Sequence, residues 1–261
     1  MKIYIHTDLE GISGITKPEQ VALGNDVQPE YSVSRLMADT NAAVDGAFTG
    51  GATHVTVLDA HRGGRNFDLN MLDPRAEADP RANGKWWGKL DESYDGTMYV
   101  GAHAMMGTPC AFLCHSNNLQ WHNYMINGRR MGELGMWAVI AGHYGVPMLM
   151  VSGDLAACQE AKSFFDPVAT AAVKQAVCMD RADALPDGDA EDLIRRAAAE
   201  SIALIKTARP FKPIMPMEIK IEYAMGWADN PAERTMRKPG VERLDGRTVR
   251  RVTDSALDIF I

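Results

Sequence analysis

The amino-acid sequence predicts an α/β protein with a mainly parallel sheet flanked by helices, and a smaller α+β subdomain at its C-terminal end. Two observations lead to this fold class. Short β-favouring runs alternate with longer runs of helical periodicity over residues 1–160. Short connections join these runs, which is typical of βαβ units and hence of parallel sheets. The 261 residues are 46% hydrophobic and 23% charged, so the chain can bury a substantial core.

The first three predicted elements form one such βαβ unit. Residues 2–7 alternate polar and apolar side chains and include β-favouring isoleucine and tyrosine, which predicts a strand. Residues 31–48 carry apolar side chains at helical spacing, and the Gly50-Gly51 pair supplies a stop. Residues 54–60 are rich in valine and leucine and predict a second, buried strand.

After a long excursion over residues 66–92, the same patterns continue to about residue 160. The predicted elements are a strand at 97–101, a strand at 122–127 ending in the turn-forming Asn127-Gly128 pair, a helix at 131–144 and a buried strand at 146–152. We therefore assign residues 1–160 to one α/β domain, the one that carries the candidate functional residues described below.

The remainder of the chain has a different character. Its predicted elements are a strand at 168–177, an amphipathic helix at 190–206, a strand at 217–223 and a strand or hairpin at 240–252. We assign residues 161–261 to a smaller α+β subdomain packed on the first domain.

Composition restricts the class of partner. The chain has 27 Lys and Arg against 34 Asp and Glu, a formal charge of −7, and no basic run with interleaved aromatics, so neither nucleic acid nor an acidic membrane is expected. No apolar run reaches the ~18 residues of a transmembrane helix, and Met1-Lys2 leads into a strand without the apolar core of a signal peptide. Four cysteines give no disulfide framework, so we expect a cytoplasmic protein.

Two carboxylates, Asp8 and Glu10, follow the first predicted strand and precede Gly11 and Gly14. Side chains two residues apart on an extended segment project to the same side, and paired anions repel unless a cation lies between them. The pair is compatible with a solvated turn, with the nucleophile loop of a haloacid-dehalogenase-like phosphatase or with a metal site. Glu10 and Ile12 depart from the phosphatase pattern, which has Asp and a hydroxyl residue there.

Further potential metal ligands lie near the ends of other predicted elements. Because the carboxyl ends of parallel strands meet at one edge of a sheet, residues distant in sequence can converge there. Carboxylates and imidazoles suit borderline divalent metals such as Zn²⁺, and so many carboxylates suggest two bridged ions. The candidates are Asp8, Glu10, Asp59, His61, His103, His115 and Glu133.

Several further residues have more than one possible role. Asp59 could be a hydrogen-bond partner of His61 or could cap the following turn. Lys174 could orient a peptide carboxylate or lie at a subunit contact. Trp86 and the adjacent Trp87 could form a lid, an edge of the core or a subunit contact. Cys110 and Cys114 beside His115 could suggest a zinc knot, but burial as small hydrophobic residues is favoured.

A set of motifs, in order and spacing, resembles the D-aminopeptidase DppA family of zinc peptidases, peptidase family M55. The resemblance covers residues 1–180 most closely. The motifs are Asp8-Leu9-Glu10-Gly11-Ile12-Ser13-Gly14, Asp59-Ala60-His61, Gly101-Ala102-His103-Ala104, Cys114-His115-Ser116 and the segment from Asn127 to Gly135.

The resemblance implies two Zn²⁺ ions per subunit, held by Asp8, Glu10, His61, His103 and Glu133, with Asp8 as the bridging ligand. His115 matches the catalytic histidine of the family, described there as a nucleophile. Family members form ring-like homodecamers with active sites facing an internal chamber, and release N-terminal D-amino acids, notably D-Ala, from short peptides.

We therefore predict a zinc-dependent, homo-oligomeric aminopeptidase acting on short peptides. Three competing hypotheses remain open from the sequence. The same site could hydrolyse L-dipeptides or amino-acid amides; the protein could be a catalytically silent metal-bound binding protein; or it could be a Mg²⁺-dependent phosphatase with Asp8 as nucleophile.

Overall fold

A computed structural model describes residues 1–22, 27–224 and 234–261. Its first sheet has seven strands, all in parallel pairs except for the last two. This confirms the prediction of a mainly parallel sheet. In spatial order the strands are β3 (Glu77–Ala78), β2 (His54–Asp59), β1 (Lys2–Thr7), β4 (Gly96–Ala102), β7 (Met148–Asp154), β8 (Ala169–Cys178) and β9 (Arg181–Ala184).

Helices cover both faces of this sheet. On one face, α1 (Glu30–Thr49) and α4 (Asp187–Ser201) share a buried cluster with Ile3 and Ile5 of β1. On the other face, α2 (Glu133–His143) and α3 (Leu155–Phe164) share a cluster with Tyr4. Because both faces are buried, the central strands are apolar on both sides, which explains the continuous apolar run of β7.

The second sheet has five antiparallel strands, which confirms the strands predicted at 122–127 and 217–223 and the hairpin at 240–252. Asn127 and Gly128, with φ of 51° and 75°, form the predicted turn. The apolar side chains of this sheet join the same cluster as α2. In spatial order its strands are β11 (Val241–Arg243), β12 (Thr248–Thr253), β10 (Met217–Tyr223), β5 (Trp121–Ile126) and β6 (Arg129–Arg130).

The two sheets do not divide the chain at residue 160. Strands β8 and β9 and helix α4, all after that residue, complete the first sheet and its helical layer. Strands β5 and β6, before that residue, belong to the second sheet. The sequence patterns did not predict helix α3, strand β9 or the two-residue strands β3 and β6. Within the described residues, no helix is both long and apolar enough to cross a membrane.

Candidate metal centre

Three neighbouring strands bring the predicted ligands together at one edge of the first sheet. Asp8 directly follows β1, His61 comes two residues after β2, and His103 directly follows β4. These strands are adjacent and parallel, so their carboxyl ends lie side by side. Glu10 lies in the loop after β1, and Glu133 is the first residue of α2.

The carboxylate of Asp8 lies at the centre of this group. Its Oδ1 is 3.0 Å from Nδ1 of His61, and its Oδ2 is 3.3 Å from Nε2 of His103. Glu10 Oε2 is also 3.0 Å from His61 Nδ1, while Glu133 Oε1 is 3.2 Å from His103 Nε2. The two oxygens of Asp8 therefore face two different imidazoles, each with a second carboxylate beside it.

The electrostatics of the group are those of a cation-binding site. Burial by itself would lower the pKa of His61, but the negative charges of Glu10 and Asp8 raise it to about 10. Burial would likewise lower the pKa of His103, but Glu133 and Asp8 raise it well above its usual range. The three buried carboxylates therefore favour positive charge in this pocket, whether as protons on the two imidazoles or as bound cations.

The hydrogen bonding of these donors also fits divalent metal ions. His61 Nε2 is buried and has no hydrogen-bond partner, and Glu10 Oε2 and His103 Nε2 have only the opposing imidazole or carboxylates beside them. Such orphaned polar atoms are costly unless they bind something. One group of potential ligand atoms within 4.8 Å of each other contains Asp8, Glu10 and His103, and another contains His103, His115 and Glu133. Carboxylate oxygens and imidazole nitrogens suit Zn²⁺.

His115 lies beside the metal-binding donors with a fixed ring orientation. Its ring stacks on that of His103, with centroids 4.0 Å apart and planes at 10°. Its Nδ1–H donates to the carbonyl of Leu113 at 2.8 Å, and its Nε2 is 3.5 Å from Glu133 Oε1. With the proton on Nδ1, the lone pair of Nε2 faces the carboxylate pocket and can accept a proton.

Two further groups contact this centre that the sequence analysis did not identify. Tyr99, on β4, donates from its hydroxyl to Asp8 Oδ2 at 3.4 Å. The backbone N–H of Asn117 donates to Glu133 Oε1 at 2.9 Å. The only sequence signal for Tyr99 is its position four residues before His103 on a strand, whereas a backbone donor leaves no signal in the residue type.

Asp59 and Lys174, for which the sequence allowed two roles, contact the protein backbone and do not face the candidate metal site. Asp59 caps the loop after β2: its Oδ2 accepts from the backbone N–H groups of Arg65, Asn66 and Phe67 at 2.8, 2.5 and 3.2 Å. Lys174 lies behind the ligand loop, where only 3% of it is exposed. Its ammonium donates to the carbonyls of Glu10 and Ile15, so it orients the protein's own backbone.

The structure also gives the surroundings of the tryptophan pair and of the cysteines. Trp86 packs edge-on against Trp137, and Trp87 is buried and donates to the hydroxyl of Tyr144 at 3.1 Å. Trp87 thus lies at the edge of the core, whereas Trp86 also lines the small cavity that contains the candidate metal donors. Cys114 is buried whereas Cys110 is exposed, and no cysteine belongs to a donor cluster among the described residues.

Comparison with known proteins identifies the family of this chain. The profile of the M55 peptidases, described as D-aminopeptidase, matches residues 1–261. The chain belongs to the M55 family of D-aminopeptidases. The family expected from the sequence motifs is thereby confirmed.

One sequence comparison and one structural comparison, both with Bacillus subtilis proteins, cover nearly the whole chain. A D-aminopeptidase of Bacillus subtilis (strain 168) is 33% identical over 253 residues, covering 95% of this chain and 89% of the relative. A solved structure described as the Zn-dependent D-aminopeptidase DppA from Bacillus subtilis, a self-compartmentalizing protease, is 31% identical. It superposes with a TM-score of 0.89, covering 99% of this chain and 94% of that chain.

Proposed function

We propose that this protein is a zinc-dependent aminopeptidase that removes N-terminal D-amino acids such as D-Ala from short peptides, at a site with two Zn²⁺ ions. The observation that carries the proposal is the position of Asp8, whose two carboxylate oxygens face separate imidazoles. Asp8, Glu10 and His61 would hold one ion, and Asp8, His103 and Glu133 the other. The zinc dependence described for the Bacillus structure supports the choice of metal.

When bound, the two ions would make a water molecule more acidic and polarise the scissile carbonyl. His115 supplies the proton transfer: its Nε2 takes the proton of the attacking water and then delivers it to the leaving amine as the amide C–N bond breaks. The hydrogen bond from its Nδ1 to Leu113 and the stack on His103 hold the ring in place. The neutral α-amine of a peptide could contact one of the ions or a carboxylate beside it, which would explain removal of the N-terminal residue alone.

Two histidine variants separate metal binding from catalysis. We expect His103→Ala to lose bound zinc, because it removes the nitrogen between Asp8 and Glu133. His115→Ala should keep its zinc and lose about 10²- to 10⁴-fold in turnover of D-Ala-D-Ala, because it removes the proton carrier. Metal analysis and kinetics of both purified variants test this. His143→Ala, at an exposed helix position, is the control and should retain both properties.

Kinetic assays of the wild-type protein distinguish D-peptide from L-peptide substrates. Hydrolysis of D-Ala-D-Ala that a chelator abolishes and added zinc restores supports the proposal. Turnover of L-Ala-L-Ala alone would instead assign the protein as an L-dipeptidase, and zinc loss from His115→Ala would make that residue a metal ligand.

The proposed enzyme is a cytoplasmic homo-oligomer, a decameric ring with its active sites facing an internal chamber. The description of the Bacillus structure as a self-compartmentalizing protease supports the assembly. All four cysteines are free, which is the usual state in a reducing compartment.

A further inference from the structure

Two cavities of different size and character open side by side from the metal donors. The smaller, of about 140 Å³, is lined by the carboxylates of Asp8, Glu10 and Glu133. The larger, of about 710 Å³, has five times that volume and mostly apolar walls. Both cavities share four lining residues, so they are continuous at the site of the chemistry: Glu10, Arg62, His115 and Asn117.

The walls of the larger cavity are apolar on two sides. Pro18, Val21 and Ala22 form one side, and Leu113 and Leu119 form the other. Leu119 is 66% exposed, although a large apolar side chain gains free energy from burial. A single exposed leucine is ordinary, but Leu119 together with Leu113, Pro18, Val21 and Ala22 gives an apolar wall beside His115, which suits an apolar group of a ligand.

The position of each wall is fixed relative to the catalytic residues. Leu113 has a φ of 46°, in the left-handed region that leucine rarely adopts. Its N–H donates to the carbonyl of Met179 at 2.8 Å and its own carbonyl accepts from His115 Nδ1, so the wall and the catalytic ring form one unit. On the opposite side, the guanidinium of Arg62, next to His61, donates to the carbonyl of Ala22.

We propose that the larger cavity binds the side chain of the second residue of the peptide, and that it selects an apolar one. This inference rests on the proposed function. The first residue enters the small cavity beside the metal-binding donors, and the cavity volume of about 140 Å³ limits that residue to a small side chain. The leaving residue then extends past His115 into the apolar cavity. The favoured substrate class is a peptide with a small first residue and a bulky apolar second residue.

Kinetics on a matched dipeptide series test the inference. We expect kcat/KM for D-Ala-Leu, in the better of its two leucyl epimers, to exceed that for D-Ala-Gly by at least about 10-fold, since one methylene group in an apolar pocket is worth about 10- to 200-fold. The reversed peptide D-Leu-Gly should be a poorer substrate than D-Ala-Gly. Leu119→Ser should reduce the ratio of leucyl to glycyl kcat/KM severalfold, mainly through KM.

Leu69→Ser is the control variant, because Leu69 is similarly exposed, at 62%, and does not line this cavity. It should leave the leucyl-to-glycyl ratio unchanged. Equal or better turnover of D-Ala-Gly, or an unchanged ratio in Leu119→Ser, would overturn the inference while leaving the proposed function intact. If the zinc-loaded enzyme hydrolysed none of these peptides, the proposed function itself would fail.

Discussion

At the scale of single residues, Lys174 connects the core to the metal-binding loop. Its ammonium donates to the carbonyl of Glu10 at 2.7 Å and to that of Ile15 at 2.6 Å, holding both ends of the segment that follows Asp8. Burial lowers the pKa of this ammonium to about 7, against the opposing charges of Asp39 and Asp154. A buried polar group of this kind is retained only where its hydrogen bonds hold something in place.

Replacement of Lys174 should therefore disturb the site without touching a metal ligand. In Lys174→Met the two carbonyls lose their donor, so we expect a loss on the order of 2 kcal/mol or more in the free energy of unfolding. Zinc affinity should fall about 10- to 100-fold, because Glu10 is no longer oriented. Chemical denaturation and competitive zinc titration measure these effects. Lys162→Met, at an exposed helix position, is the matched control, and zinc affinity equal in both variants would contradict the argument.

At the scale of elements, the loop after β1 packs directly against the end of β4. Gly11 donates from its N–H to the carbonyl of Gly101 at 2.9 Å, and Asp8 donates to that of Val100 at 2.9 Å. A Cβ atom on Gly11 would lie 2.1 Å from the carbonyl oxygen of Ala102. Only glycine allows this approach, which holds Asp8 and Glu10 next to His103.

Gly11→Ala tests how closely the loop must approach the strand. We expect the alanine to push the loop away, lowering the free energy of unfolding by about 1–3 kcal/mol and reducing bound zinc. Gly188→Ala in α4, where a Cβ meets nothing within 4 Å, is the matched substitution. It should be neutral or stabilise the protein by up to about 1 kcal/mol, because alanine is the better helix former. Full zinc occupancy in Gly11→Ala would refute the steric argument.

At the scale of the whole molecule, the two sheets are interleaved along the chain. Met150 and Val151 of β7 pair with Ala169 and Thr170 of β8, across the predicted boundary at residue 160. The middle strand of the second sheet, β10, pairs with β5 from the first half of the chain. Either half of the chain by itself would therefore have unpaired strand edges and exposed apolar surface.

This topology predicts that a fragment of residues 1–160 does not fold by itself. It would lack β8 and α4 from the first sheet and its helical layer, and β10 and β12 from the second sheet. We expect no near-UV circular dichroism and no tight zinc binding in the fragment, in contrast to the full chain. Cooperative unfolding of residues 1–160 with bound zinc would show instead that they form an independent domain.

The sequence by itself determined the main elements and the residues to be considered as candidate metal donors. Alternation and helical periodicity are local properties, so β1, α1 and β7 could be predicted from short windows of sequence. Parallel strands bring their carboxyl ends to one edge of a sheet, so Asp8, His61 and His103 could be expected to meet. Glu10, Glu133 and His115 were candidates from residue type and position, the family resemblance implied their roles, and the structure places them around the same pocket.

Only the tertiary structure decided which groups support these donors. The sequence left the role of Lys174 open and gave no reason to connect it with Glu10, 164 residues away. Nor did it show the contact of Tyr99 with Asp8, the pairing of β5 with β10 or the size of the apolar cavity. Each depends on atoms far apart in the chain, whose distances are fixed only when the two sheets pack and bury their shared core.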